Sequence, residues 1–210
     1  MNEDEMTGTR TDHWQSVYTT KTDDSVSWFE QSPNASLELI KAAAIGSGSV
    51  IDIGGGASKL VDALVAKGHS DVAVLDLSAQ ALEIAKARLG SQADKIKWMI
   101  GDVTAWNPTQ HYDLWHDRAA FHFLTTPDDQ AAYAKALHIA LNPGGAAIIG
   151  TFALDGPERC SGLPVSRHDS ASIARVLGPD FSLFDERRYD HITPGGSVQK
   201  FQFNSFRKTA

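Results

Sequence analysis

The sequence predicts a doubly wound α/β fold, in which helices cover both faces of a mostly parallel sheet. From about residue 49 onward, short apolar runs alternate with longer amphipathic segments, which is the pattern of successive strand–helix units. Near the C-terminus this alternation gives way to two apolar runs joined by a Thr-Pro-Gly-Gly turn at residues 193–196. Such a pair predicts an antiparallel hairpin at the edge of the sheet.

The individual elements follow from apolar periodicity and from capping residues. The predicted strands cover residues 50–53, 72–75, 96–100, 112–115, 146–152, 181–189 and 198–206. The predicted helices cover residues 58–67, 78–89, 126–141 and 169–177. Ser78, Thr126 and Asp169 stand where a side chain can cap a helix, and residues 142–145 predict a turn.

The N-terminal residues predict a separate segment. Residues 1–35 match no strand or helix pattern, yet they carry Trp14, Tyr18 and Trp28. So many large aromatic residues indicate a segment that folds back over the rest of the chain. We therefore expect an aromatic lid over residues 1–35 and a single α/β domain over residues 36–210.

Composition narrows the choice of partners. The 210 residues include 26 acidic and 19 basic side chains, giving a formal net charge of −7 and no basic run, so nucleic acid is not expected as a partner. Cys160 is the only cysteine, so no intramolecular disulfide can form. No stretch approaches the roughly 20 apolar residues of a membrane span, and residues 1–10 lack the apolar region of a secretory signal. We expect a cytoplasmic protein, monomeric or homodimeric.

A glycine-rich turn after the first predicted strand carries the main functional signal. Gly54 and Gly56 allow the backbone to turn tightly into a helix with no side chain between it and a ligand. Asp76 ends the next strand, where a carboxylate can accept both hydroxyls of a ribose. Lys59 stands where a dinucleotide-binding turn has its third glycine, which favours a ligand without a pyrophosphate. A purely structural turn and a solvated Asp76 are the alternatives.

A second acid follows the third predicted strand. Asp102, between Gly101 and Val103, can accept a hydrogen bond from the amino group of adenine. An ordinary turn aspartate would show the same residues. Together with the ribose acid, however, it indicates a ligand that contains adenosine.

These motifs resemble the class I methyltransferases that depend on S-adenosylmethionine (SAM), over roughly residues 12–208. The resemblance implies a Rossmann-like sheet of seven strands with a reversed C-terminal strand, SAM as cofactor and S-adenosylhomocysteine (SAH) as product. It implies that the first-strand acid and the glycine turn approach the methionine part of SAM. The implied cofactor-binding residues are Asp52, Gly54, Gly55, Gly56, Asp76, Leu77, Gly101, Asp102, Val103, Trp28 and Tyr18. The sequence departs from the commonest pattern at Gly55, often cysteine, and at Ser58, often glycine.

A narrower resemblance comes from the N-terminal residues. His13, Trp14, Tyr18 and Lys21, followed by Trp28, are similar to the N-terminal motif of a branch that includes the citrate synthase-lysine methyltransferases and bacterial members without an established substrate. The resemblance identifies a lineage rather than a reaction.

The fourth predicted strand ends in the candidate catalytic residues. His116 can act as a base near neutral pH, Asp117 can orient or deprotonate an amine, and Arg118 can hold a carboxylate. An internal Asp117–Arg118 pair that braces the loop is the structural alternative. No metal-ligand constellation is evident, and in-line methyl transfer requires none.

Three functions remain open on the sequence alone. The first is methyl transfer to a small-molecule or protein acceptor through an amine or carboxylate. The second is a non-catalytic module that binds SAM or a nucleoside. The third is a nicotinamide-dependent oxidoreductase, for which the third glycine of the turn and a catalytic tyrosine–lysine pair are not evident.

Overall fold

The computed structural model describes residues 3–209, with side chains from residue 10 onward except that of residue 23. Seven of its nine strands form one sheet in the order β3-β2-β1-β4-β5-β9-β8, and β6 and β7 form a small separate ribbon. The strands are β1 Val50–Ile53, β2 Val72–Asp76, β3 Ile96–Ile100, β4 Tyr112–Arg118, β5 Leu141–Phe152, β6 Arg159–Cys160, β7 Leu163–Pro164, β8 Phe181–Ile192 and β9 Val198–Lys208. The helices are α1 Glu3–Thr20, α2 Asn34–Ala43, α3 Leu60–Ala66, α4 Ala79–Leu89, α5 Pro127–Ala140 and α6 Ser170–Leu177.

The sheet confirms the predicted fold class. Strand β1 pairs in parallel with both β2 and β4, so the strand order reverses beside it. Strand β9 runs antiparallel to β5 and to β8, which gives the predicted C-terminal hairpin. In open α/β sheets a ligand binds beyond the carboxyl ends of the strands at such a reversal, here at the ends of β1 and β4.

Local signals explain the confirmed helix starts. The Ser78 hydroxyl accepts a hydrogen bond from Ala81 N at the start of α4, and Thr126 does the same for Asp129 N at the start of α5. Asp169 forms a reciprocal capping box at the start of α6. Each cap satisfies a backbone donor that the first helical turn leaves unpaired.

Helices α1 and α2 correct the expectation that residues 1–35 contain no regular element. Helix α1 lacks a continuous apolar stripe, which is the signal that sequence reading relies on. Its described side chains include Trp14 and Tyr18, which pack in a small apolar cluster with Ala57 and Ala81. The expected lid falls on α1 and the residues after it, although residues 1 and 2, like residue 210 of the expected domain, lie outside the described residues.

The predicted turn at residues 142–145 is also corrected. Strand β5 begins at Leu141, which pairs with Tyr112, and the register of β4 and β5 shifts before Leu114. Gly144, with a φ of +76°, accommodates this irregularity. The glycines therefore form a bulge inside a longer strand.

The core lies in two layers, one on each face of the sheet. One layer is built around Trp115, Phe121 and Tyr133 beneath α5 and α6. The other contains Phe152 and Phe201 together with residues of α2 and α3. Across the described part of the chain, no helix combines the length and the apolar character needed to cross a membrane.

Candidate functional site

A main cleft opens at the carboxyl ends of β1 to β4, beneath α1. Most of the predicted cofactor-binding residues line it: Tyr18, Trp28, Gly54, Asp76, Leu77, Gly101, Asp102 and Val103. Asp52 and Gly55 line an adjoining side pocket instead. Arg118 borders both cavities.

The glycine turn leaves no room for side chains. Gly54 has a φ of +65°, and a Cβ there would lie 2.7 Å from Ala120 Cβ. Gly56 has a φ of +42°, and a Cβ there would lie 2.9 Å from Asp76 Oδ2. Glycine is therefore required both by the backbone conformation and by the space that remains. Gly54 is the exposed residue of this turn and lines both the main cleft and the side pocket, whereas Gly55 and Gly56 are buried.

Asp76, at the end of β2, presents a nearly buried carboxylate to the cleft. Its Oδ1 accepts a hydrogen bond from Ser78 N at 2.7 Å. Its pKa is raised to about 7: burial is the main cause, the charge of Asp52 adds to the increase, and backbone hydrogen bonds from Ser78 and Gly56 oppose it. The group therefore titrates close to neutral pH.

Asp102, after β3, presents an oxygen without a hydrogen-bond partner. Its Oδ1 accepts from Thr104 N at 2.8 Å and from Thr104 Oγ1 at 2.7 Å. Its Oδ2 is buried and accepts no hydrogen bond from the described residues, and Arg10 Nη2 lies 3.3 Å away. This oxygen is ion-paired with Arg10 but receives no hydrogen bond from the described residues, so it can accept one from a ligand donor.

Aromatic side chains of the N-terminal segment close the cleft. Trp28 Nε1 donates a hydrogen bond to the Tyr18 hydroxyl at 3.1 Å. The Trp14 ring packs edge-on against Trp28 at 5.5 Å and against Phe123 at 4.9 Å. Arg10 holds α1 to the domain by pairing with Asp102 and Asp129, a role that the sequence did not indicate.

His116 lies in the side pocket, 2% exposed, and is hydrogen-bonded through both ring nitrogens. Nδ1 lies 2.6 Å from Asp52 Oδ1 and Nε2 lies 2.8 Å from Ser36 Oγ. A proton on Nδ1 suits the contact with the Asp52 carboxylate, and Nε2 is within hydrogen-bond distance of the Ser36 hydroxyl. The imidazole thus joins α2 to the strand that precedes the glycine turn.

Asp117 points to the opposite face of the sheet and is fully buried. It accepts hydrogen bonds from Ala120 N at 2.9 Å, Phe121 N at 3.1 Å and the Tyr133 hydroxyl at 2.9 Å. Burial raises its pKa to about 6, against these hydrogen bonds. The carboxylate holds the loop after β4 and borders neither the main cleft nor the side pocket.

Arg118 forms an ion pair with the N-terminal segment, and the expected alternative of an Asp117–Arg118 pair is wrong. Its Nη1 donates to Trp28 O at 3.0 Å and its Nη2 lies 3.1 Å from Glu30 Oε1. Its guanidinium also lies 4.9 Å from the centre of the Phe201 ring. Asp117 is hydrogen-bonded to other groups on the opposite face of the sheet. Arg118 instead holds residues 28–30 of the N-terminal segment.

Comparison with known proteins agrees with this site. Residues 50–145 match a family model described as a methyltransferase domain. This match spans strands β1 to β4 and the glycine turn, so this part of the chain is similar to a methyltransferase domain. No curated protein matches the sequence.

Solved structures share the fold of this chain. One of them concerns the conversion of a disulfide bond into a thioacetal group during echinomycin biosynthesis. It is 20% identical in sequence with a TM-score of 0.76, and the match covers 95% of this chain and 92% of that one. The 1,6-didemethyltoxoflavin-N1-methyltransferase of Burkholderia thailandensis, solved with SAH, is 20% identical with a TM-score of 0.74, covering 100% and 92%. The N-methyltransferase NodS of Bradyrhizobium japonicum, also solved with SAH, is 15% identical with a TM-score of 0.71, covering 94% and 99%. The family resemblance and the fold are confirmed, and the narrower branch stays a prediction.

The site also contains polar groups that local sequence patterns do not single out. Arg10, Glu30 and Ser36 reach the site from segments distant in sequence, and each is held by a side chain of the domain. Cys160 lines the main cleft, and burial raises the pKa of its thiol to about 11. In the described residues, no cluster of His, Cys, Asp and Glu is arranged to hold a metal ion.

Proposed function

We propose that the protein transfers a methyl group from SAM to an amine or carboxylate acceptor. The observation that carries this proposal is the convergence of two carboxylates, Asp76 and Asp102, on one cleft beside a glycine turn without side chains. The first suits a ribose and the second an adenine amino group, as the family resemblance implies. The buried Oδ2 of Asp102, which is paired with Arg10 but accepts no hydrogen bond from the described residues, fits that amino group.

The remaining predicted residues lie in both cavities, and each cavity would hold a different part of the cofactor. Leu77, Gly101 and Val103 line the main cleft next to the two acids, where the adenosine would lie. Asp52 and Gly55 line the side pocket, where the amino-acid end would lie, and Lys59 and Arg118 supply positive charge for its carboxylate. When bound, SAM supplies an electrophilic methyl group on a sulfonium.

We propose that the protein promotes transfer mainly by positioning the reactants and excluding water. Tyr18 and Trp28 close the cleft and offer ring faces to a positive charge. His116 and Asp117 hold the glycine turn and the loop after β4 from opposite faces of the sheet. Arg118 holds the lid segment and borders the space next to the cofactor.

Calorimetry with SAH, SAM and NAD tests the cofactor assignment. We expect SAH and SAM to bind, NAD to give no heat, and Asp102→Asn to weaken SAH binding. Asp94→Asn, which changes an exposed acid outside the cleft, is the matched control and should bind SAH normally. Preferential binding of NAD would favour the oxidoreductase.

Release of SAH from SAM, measured with panels of amines, carboxylates and protein lysates, tests catalysis. Turnover with one class identifies the acceptor chemistry. If SAH binds but no panel supports turnover, the non-catalytic SAM-binding module becomes the better description.

A further inference from the structure

An outer groove lies beyond Arg118, between residues 24–35 and the tip of the β8–β9 hairpin. None of the predicted cofactor-binding residues lines it, and Arg118 is its shared wall with the main cleft and the side pocket. The groove therefore adjoins the place where the reactive end of the cofactor would lie under the proposed function.

Four aromatic rings line the outer groove, of which Phe29 and Tyr189 are partly exposed. Phe201 and Phe203 are buried side by side beneath it, with ring centres 6.0 Å apart, and Tyr189 packs edge-on against Phe203 at 5.6 Å. Phe29 lines the groove from the N-terminal segment. Two cations of the chain already lie over these rings: Lys59 Nζ is 5.0 Å from the Phe29 ring, and Arg118 lies over Phe201. These two contacts show that the rings attract positive charge, and the partly exposed rings of Tyr189 and Phe29 are the ones within reach of a ligand in the groove.

The charged groups of the outer groove are mainly acidic. Asp24, Glu30 and Asp190 line it, whereas Arg118 is the cation among its lining residues and is paired with Glu30. Burial, followed by the charge of Arg118, lowers the pKa of His191, so this lining imidazole is neutral at pH 7. Among the described residues, no Lys, Arg or His forms an ion pair with Asp190. The groove therefore carries a net negative charge beside aromatic surface.

We propose that the outer groove binds a small organic ammonium compound and that this compound is the methyl acceptor. Aromatic faces together with carboxylates are the chemistry that recognises such cations, whereas an acceptor carboxylate would meet like charges there. The inference rests on the proposed function and narrows its acceptor from an amine or carboxylate to an amine.

The transfer itself requires the amine in its neutral form. The bound ammonium loses one proton to solvent, and its nitrogen lone pair then forms the C–N bond while the C–S bond of the sulfonium breaks. The bonding electrons of the C–S bond remain on sulfur, and SAH leaves as the thioether. The groove carboxylates hold the ammonium before this proton loss and the methylated ammonium afterwards.

Two soluble probes of similar shape test the charge preference. Choline carries a quaternary ammonium, and 3,3-dimethylbutan-1-ol is its uncharged counterpart. We expect ligand-observed NMR titration of the SAH-saturated protein to give at least about tenfold tighter binding of choline. Equal binding of the two probes would overturn the proposal.

Charge-reversal variants on one strand locate the binding. Asp190→Lys changes an exposed acid that lines the groove, and Glu186→Lys changes an exposed acid of β8 that does not. We expect Asp190→Lys to weaken choline binding about tenfold and to leave binding of the alcohol unchanged. The Glu186→Lys protein should bind choline like the parent protein. Equal effects of both variants would refute a site in the groove.

The outcome separates this inference from the proposed function, because SAH affinity is measured independently by calorimetry. SAH binding without choline binding overturns the groove assignment and leaves the methyltransferase proposal intact. Choline binding that Asp190→Lys weakens, without SAH binding, supports an ammonium site and removes its role as the acceptor site.

Discussion

The titration of Asp76 predicts that cofactor affinity depends on pH around neutrality. The buried carboxylate has its pKa raised to about 7. Ribose hydroxyls donate hydrogen bonds, so they bind the ionised carboxylate in preference to the protonated one. SAH binding should therefore release a proton from this group below pH 7, and affinity should fall as pH is lowered.

The magnitude follows from the ionised fraction. With a pKa of about 7, the fraction of ionised Asp76 falls from about nine-tenths at pH 8 to about one-tenth at pH 6. If only the ionised form binds the ribose, SAH affinity should fall about tenfold over this interval, equivalent to about 1.4 kcal/mol. Calorimetry in two buffers with different ionisation enthalpies should also detect release of about half a proton per SAH at pH 7.

The variant Asp76→Asn serves as the control, since it cannot titrate. It should bind SAH weakly and with little dependence on pH between 6 and 8. A constant affinity of the parent protein over this range, or the same pH slope in the variant, would refute the assigned role of Asp76.

The same titration has a consequence for stability. The pKa of Asp76 is about 7 in the folded protein and 3.8 as its ordinary value in the unfolded chain. The protonated group therefore contributes fully to the free energy of unfolding below pH 3.8, and this contribution is lost as pH rises through about 7. Chemical denaturation without ligand should show Asp76→Asn gaining stability relative to the parent protein between pH 5 and pH 8. A constant difference between the two proteins at all pH values would contradict the raised pKa.

Two further predictions each use a matched pair of variants. Gly54→Ala should lower SAH affinity more than tenfold, because its Cβ would approach a neighbouring Cβ to 2.7 Å, whereas Gly46→Ala, with a similar φ of +59° and no atom within 4 Å, should retain affinity. Calorimetry decides this, and equal losses would show that backbone strain alone matters. Tyr133→Phe removes a donor from the buried carboxylate of Asp117 and should destabilise the protein by about 1–3 kcal/mol. Tyr112→Phe removes a buried hydroxyl that has no hydrogen-bond partner in the described residues, so its unfolding midpoint should be unchanged or higher; a larger loss for Tyr112→Phe would contradict the assignment.

The sequence predicts the sheet well because its signals are local. Strand β1 is a run of four buried residues bounded by a glycine turn, and the helix cap at Ser78 needs only the three residues that follow it. The parallel order follows from alternation of strands and helices. Each of these features can be recognised in a short window of sequence.

Helix α1 and its contacts could not be predicted in the same way. Its described polar residues contact groups around the cleft. Arg10 pairs with Asp102, and Gln15 accepts hydrogen bonds from Ser78 Oγ and Gln80 N. These partners lie far away in sequence and impose no helical period on the residues of α1. A lid can be expected from its aromatic residues, but its helical form cannot.

The catalytic residues predicted at the end of β4 show why neighbours in sequence need not act together. Side chains of a strand alternate between the two faces of a sheet, so His116 and Arg118 share one face while Asp117 lies on the other. The hydrogen bonds follow this alternation: His116 contacts Asp52, whereas Asp117 contacts Tyr133 beneath α5. In a parallel sheet covered on both faces, polar residues on either side look alike in the sequence. The three side chains therefore do not face one common space, and their catalytic roles stay predictions. The proposed acceptor site combines Arg118 with the N-terminal segment that it holds.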